Sequence, residues 1–105
     1  MSKIAVFATI KAKAGKGDEV AVALATMFPV VESEEGTEVY VLHRVEGDPD
    51  TILFYELYAD AESLGAHGGS DAMKAVGAGL RDLADGRPEI VLATPVQAKG
   101  ISLEG

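Results

Sequence analysis

An α+β fold of the ferredoxin-like type, with its elements in the order β-α-β-β-α-β, follows from three observations on this sequence. Runs with period-two apolar alternation stand at each end and, as a pair, in the middle. Between them lie stretches whose apolar residues recur at helical spacing. The 105 residues contain no repeat, linker or low-complexity tract, and 48% apolar with 25% charged residues is a composition that buries one core.

Each element has a local cause. Ile4 to Lys13 reads as a strand, with Ile4, Val6, Ala8 and Ile10 on one face and Ala5, Phe7 and Thr9 on the other. Gly15-Lys16-Gly17 ends it, and Asp18 and Glu19 open a helix at the end of the dipole that favours carboxylates. Val20, Leu24, Met27, Phe28 and Val31 form its apolar stripe, and Pro29 is expected to kink or terminate it. Glu34-Glu35-Gly36 reads as a turn. Thr37 to Glu46 and Thr51 to Ala59 are rich in β-branched and aromatic residues, and Gly47-Asp48-Pro49-Asp50 joins them as a hairpin. Asp60 caps a short helix through His67, and Gly68-Gly69 breaks it. Ser70 caps a second helix with Met73, Val76, Leu80 and Leu83 inward, stopped by Gly86 and Pro88. Glu89 to Val96 is the last strand. The domain is placed at residues 3–97, with a tail at 98–105.

Setting Glu46 opposite Ile52 in the hairpin places Tyr40, Leu42, Arg44, Ile52, Phe54, Glu56 and Tyr58 on one face. Val39, Val41, His43, Val45, Leu53, Tyr55 and Leu57 fall on the other. Both faces are largely apolar, whereas both helices cover the same side. The uncovered face therefore predicts a homodimer through it.

Charge and composition exclude several functions. Nine Lys and Arg against seventeen Asp and Glu leave a net charge of −8, the wrong sign for a nucleic-acid partner or an anionic membrane. No cysteine is present, which removes disulfides, thiolate nucleophiles and Cys-containing metal sites. Two histidines, His43 and His67, are too few for a three-histidine metal site in one chain, so no metal is expected. No apolar run reaches the ~20 residues of a membrane span, and a cytoplasmic location is expected. Gly15-Lys16-Gly17 is followed at once by two carboxylates, a poor phosphate loop, and Asp48-Pro49-Asp50 lacks the downstream ligands of a calcium loop.

The residues left for chemistry cluster on the helix-covered face. His67 ends a capped helix before a double glycine and can act as base or donor, or simply meet the helix dipole. Glu56 interrupts an apolar strand and needs a partner, for which the assumed register offers Arg44 on the same face. That pair is either a structural ion pair or an anchor for a ligand. Tyr40 and Tyr58 are set opposite each other as phenol donors. His43 falls on the outer face.

The stretch from Glu34 to His67, with the opening Phe7 to Val20 and the close Pro88 to Gly100, resembles the antibiotic biosynthesis monooxygenase domain, most closely its small quinol monooxygenase members. The resemblance covers roughly residues 3 to 100. It implies a ferredoxin-like protomer paired into a dimeric α+β barrel and, in active members, oxygenation of small hydroquinone-like aromatics by O₂ without metal or flavin. His67 matches the family's helix histidine, Glu56 the acidic residue of its strand motif, and Tyr58 the place where many relatives carry Trp. The residue five beyond His67 is Ala72, where relatives often have a second histidine, and Ala8 stands where haem-degrading relatives have Asn. Those departures argue against haem degradation and against the isomerase chemistry of some relatives. The implied roles are His67 as base, Tyr58 and Arg44 orienting substrate oxygens, Glu56 fixing Arg44, and Tyr40, Phe54 and Met73 as wall, with no cofactor. The alternatives are a cofactor-free isomerase and a non-catalytic dimeric binding or stress protein.

Overall fold

The computed structural model describes residues 2–104. Its elements are β1 (Ile4–Lys11), α1 (Gly17–Ala25), α2 (Phe28–Val31), β2 (Thr37–Val45), β3 (Asp48–Tyr58), α3 (Ala61–Gly68), α4 (Asp71–Leu80) and β4 (Glu89–Ala93). The strands form one antiparallel sheet in the order β2-β3-β1-β4, the ferredoxin-like topology predicted from the element order.

The core lies between the helices and the face of the sheet carrying Ala8, Ile10, Ile52 and Phe54, against which Val20, Leu24 and Leu80 pack. Each fully buried Val, Leu or Met contributes about 1.5–3 kcal/mol, which holds a helix too short to persist alone. The helical stripe divides where Thr26 turns its hydroxyl back to the Ala23 carbonyl at 2.6 Å. Pro29 falls just past this break, as expected of a residue that ends the first helix. It sits in the first turn of α2, where its missing N–H is not needed. Asp60 and Ser70 cap α3 and α4, accepting from Ser63 N at 2.8 Å and Met73 N at 3.1 Å.

Several boundaries differ from expectation. α4 stops at Leu80, short of Gly86, because the next residues return to the sheet: Leu83 O accepts from Lys13 N and Asp85 N donates to Lys11 O. β4 ends at Ala93 rather than Val96. Beyond it, Ile101, Ser102 and Glu104 share a surface depression with Lys3, Glu38, Val39 and Leu57, so the tail returns over the outer face of the sheet.

The hairpin carries the largest difference. Its turn is the pair Glu46-Gly47, with Gly47 at φ +77°, and β3 already begins at Asp48. A bulge follows, since Val45 pairs with Asp48 but Arg44 with Ile52. Leu42 then faces Phe54 and Tyr40 faces Glu56. The assumed register was two residues out. Because side chains alternate with period two, every residue kept its face and only its neighbour changed.

Candidate active site

A cavity of about 310 Å³ opens between the sheet and helices α3 and α4. Val6, Ala8, Leu24, Phe54, Met73 and Ile90 are among its apolar walls. Tyr40, Glu56 and His67 are its polar side chains. They converge because β2 and β3 set Tyr40 beside Glu56, while the capped α3 ends with His67 against the Tyr40 ring at 5.4 Å between centroids. His67 is 5% exposed and Glu56 8%.

Glu56 takes a hydrogen bond from the Tyr58 hydroxyl. Burial pushes its carboxyl above the usual glutamate range, and the Tyr58 bond only partly offsets this. Burial also pushes both phenols up, the neighbouring Glu56 carboxylate adding to it, so Tyr40 and Tyr58 stay protonated donors. The Tyr40 hydroxyl has no protein partner among the described residues, so it is free for a ligand. The Nδ1 atom of His67 lies 2.8 Å from Glu34 Oε1.

Five residues singled out in the sequence, Tyr40, Phe54, Glu56, His67 and Met73, line this cavity. Two do not. Arg44 is exposed at the hairpin end, where its guanidinium donates to Asp18 Oδ1 at 3.0 Å and to the Pro49 carbonyl at 2.7 Å. It stands four residues along β2 from Tyr40, the partner of Glu56, or roughly 13 Å at ~3.3 Å per residue. The Glu56–Arg44 pair therefore does not form, and Arg44 cannot orient a substrate in the cavity. The cause is the tight turn at Glu46-Gly47, which starts the pairing at Val45–Asp48, and the bulge offsets this only in part. Tyr58 is 0% exposed and paired with Ile4 and Thr37, not Tyr40, so its hydroxyl serves Glu56 rather than a substrate.

Glu34 was read as part of a turn. No spacing signal ties it to His67, 33 residues away. Its loop reaches α3 because Gly36 passes so close to Ser63 that a Cβ there would lie 2.0 Å from the Ser63 hydroxyl. The Gly15–Gly17 amides are likewise occupied: Asp50 accepts from both at 3.0 Å, which fills the loop rejected as a phosphate site.

The family model for antibiotic biosynthesis monooxygenase matches residues 3–78. The chain belongs to that family. A Caulobacter crescentus crystal structure carrying a provisional antibiotic biosynthesis monooxygenase name is 33% identical, with TM-score 0.76 over 91% of this chain and 92% of that one. One from Chloroflexus aurantiacus with the same provisional name is 25% identical, with TM-score 0.80 over 96% and 100%. A Shewanella oneidensis protein at 23% identity superposes with TM-score 0.86 over 92% and 94%, a likeness of fold. No curated protein matches by sequence. Among the described residues of this antibiotic biosynthesis monooxygenase family member, no helix is long and apolar enough to cross a membrane, and no three metal-ligating side chains gather.

Burial of Glu56 gives a stability prediction for this family member. A carboxyl whose pKa is raised on folding contributes stability below the unfolded value, and that contribution is lost as pH rises through the folded one. At neutral pH the wild-type protein carries this cost and Glu56→Gln does not, while the amide oxygen still accepts from Tyr58. Glu56→Gln is expected to melt higher than wild type at neutral pH, with the gain vanishing below the ordinary glutamate value of ~4.3. Thermal melts across pH check it. A variant that melts lower at neutral pH would mean the charge of Glu56 is stabilising.

Proposed function

We propose that this family member is a cofactor-independent monooxygenase of small, neutral hydroquinones. The observation that carries the reading is an apolar cavity with Tyr40, Glu56 and His67 converging in one corner. That shape suits a flat aromatic of one or two rings with hydroxyl groups at one edge. The charged groups at the site are acidic, Glu56 in the wall and Glu34 behind His67, which disfavours a phosphorylated or carboxylated substrate.

His67 takes the proton from one substrate hydroxyl, and Tyr40 and Glu56 hold the substrate oxygens. The resulting anion is itself the electron donor. It passes one electron to O₂, the two radicals combine into a peroxide anion on the ring, and protonated His67 returns one proton to make the hydroperoxide. Loss of water then leaves a hydroxyquinone. One oxygen atom of O₂ ends in the new C–O bond and the other in water, so no further reductant is consumed. The apolar walls keep water from the charged intermediates.

Oxygen uptake by the purified protein with a panel of hydroquinones, corrected for autoxidation and repeated with chelator, tests the proposal. Protein-dependent uptake that survives chelator and yields the hydroxylated product is expected. Turnover that persists without oxygen would favour an isomerase. No protein-dependent turnover across the panel would favour a binding protein.

The reading includes a homodimer. The face of the sheet turned from the helices exposes Val91 (59%), Phe7 (49%), Val41 and Leu53, with Phe7 and Tyr55 stacked at 5.3 Å. His43 lies on the same face, its Nδ1 3.2 Å from the Leu53 carbonyl. An apolar sheet face of this kind needs a cover, and a second copy supplies an equal one. A charge at its centre, Val41→Asp, is expected to shift a dimer to monomer by light scattering at micromolar concentration. A wild-type protein that is already a soluble monomer would overturn this.

A further inference from the structure

We propose that Glu34 is the positioning residue of His67 and the route by which its proton returns to water; this rests on the reading of His67 as base. The imidazole stands between two spaces. One is the substrate cavity, and the other is a depression of about 180 Å³ lined by Glu34, Thr37 and Ser63 among others. His67 is the residue common to both walls.

The hydrogen bonds assign the ring nitrogens. Glu34 Oε1 accepts from the Thr37 hydroxyl at 3.0 Å and lies 2.8 Å from His67 Nδ1, so Nδ1 donates and carries the proton of the neutral ring. Nε2 is left with its lone pair. It has no partner among the described residues, and no sealed-off buried side-chain nitrogen or oxygen there lacks one, so Nε2 is open to an incoming molecule. The His67 side chain is 6% exposed and that of Glu34 21%, so the carboxylate meets water where the ring hardly does. The loop is fixed in place by Thr37 N to Glu34 O and by Ala59 N to Gly36 O.

Across this wall the substrate O–H bond breaks as Nε2–H forms. Nδ1 passes its proton to the Glu34 carboxylate, which releases it to solvent. When Nε2 gives its proton to the peroxide, Nδ1 regains one from solvent by the same carboxylate and the ring is reset. Electron pairs stay with oxygen and nitrogen throughout. The other titratable groups facing the ring are Tyr40, Tyr58 and Glu56.

Nitrogen-15 NMR of the histidine-labelled protein tests the positioning without any turnover. His43→Ala identifies the signals, since the chain has two histidines. His67 is expected as the Nδ1–H form in wild type and to move toward the Nε2–H form in Glu34→Ala. The second arm is turnover. Glu34→Ala is expected to lose roughly 10-fold or more, and added formate, a small carboxylate that fits the emptied slot, to restore it. Glu34→Gln, whose slot is filled, is expected to stay unrescued. An Nε2–H form in wild type, an unchanged tautomer in Glu34→Ala, or activity that formate does not restore would overturn the proposal. A protein that turns over no hydroquinone yet shows the tautomer shift would overturn the oxygenase reading and leave the dyad standing.

Discussion

Replacing His67 by Ala is expected to lower hydroquinone-dependent oxygen uptake by roughly 10²–10⁴-fold, the usual contribution of a positioned acid or base. The cavity has other polar groups, but each is poorly suited to replace it. Tyr40 is held protonated by burial, and the Glu56 carboxylate is engaged by the Tyr58 hydroxyl. His43→Ala is the control, since His43 lies on the opposite face of the sheet and bonds the Leu53 carbonyl. Rates must be corrected for autoxidation in buffer. An enzyme-dependent rate unchanged in His67→Ala would remove the proposed base.

Gly17→Ala is expected to produce the largest loss of stability among single-methyl changes. A Cβ on Gly17 would lie 1.9 Å from the Pro49 carbonyl oxygen and 2.8 Å from its carbon. Both are backbone atoms, so no rotamer change relieves the clash. Gly17 N also donates to Asp50 Oδ1, and that bond would be lost as the segments part. Overpacking of a tight site costs about 1–3 kcal/mol and sometimes more, and a backbone clash belongs at the upper end. Since ~1 kcal/mol moves the melting point of a domain this size by about 4–8 °C, the variant is expected to melt more than ~10 °C lower. Gly15→Ala is the comparison. Its Cβ meets nothing within 4 Å, so its cost comes from the positive φ of +79° alone. Equal melting points for Gly17→Ala and wild type would show that α1 can move away from the hairpin freely.

Gly17 also shows how far local reading reaches. In the sequence it marks the end of a strand, which is correct and incomplete. What forbids a side chain there is Pro49, more than thirty residues later, arriving through the hairpin. Glu34 follows the same rule. A turn glutamate has no periodic relation to a helix histidine, and only the packing of Gly36 under Ser63 brings the two together. Glu56, by contrast, was visible as a carboxylate inside an apolar strand, although its partner was assigned to Arg44 and proved to be Tyr58.

The sequence by itself determined the element order, the faces of each strand, the caps at Asp60 and Ser70, and the inward faces of Tyr40, Phe54 and Met73. These depend on periodicity and on side chains acting within a few residues, so they survive an error of two in the hairpin. The tertiary structure decided which residue stands beside which. The tight turn at Glu46-Gly47 left Arg44 at the hairpin end with Asp18, the bulge beside it set Tyr40 against Glu56, and the return of the loop at Gly36 gave His67 its carboxylate. Neighbours across strands and loops are selected by the geometry of a turn and the close approach of backbones, and neither leaves a period in the chain.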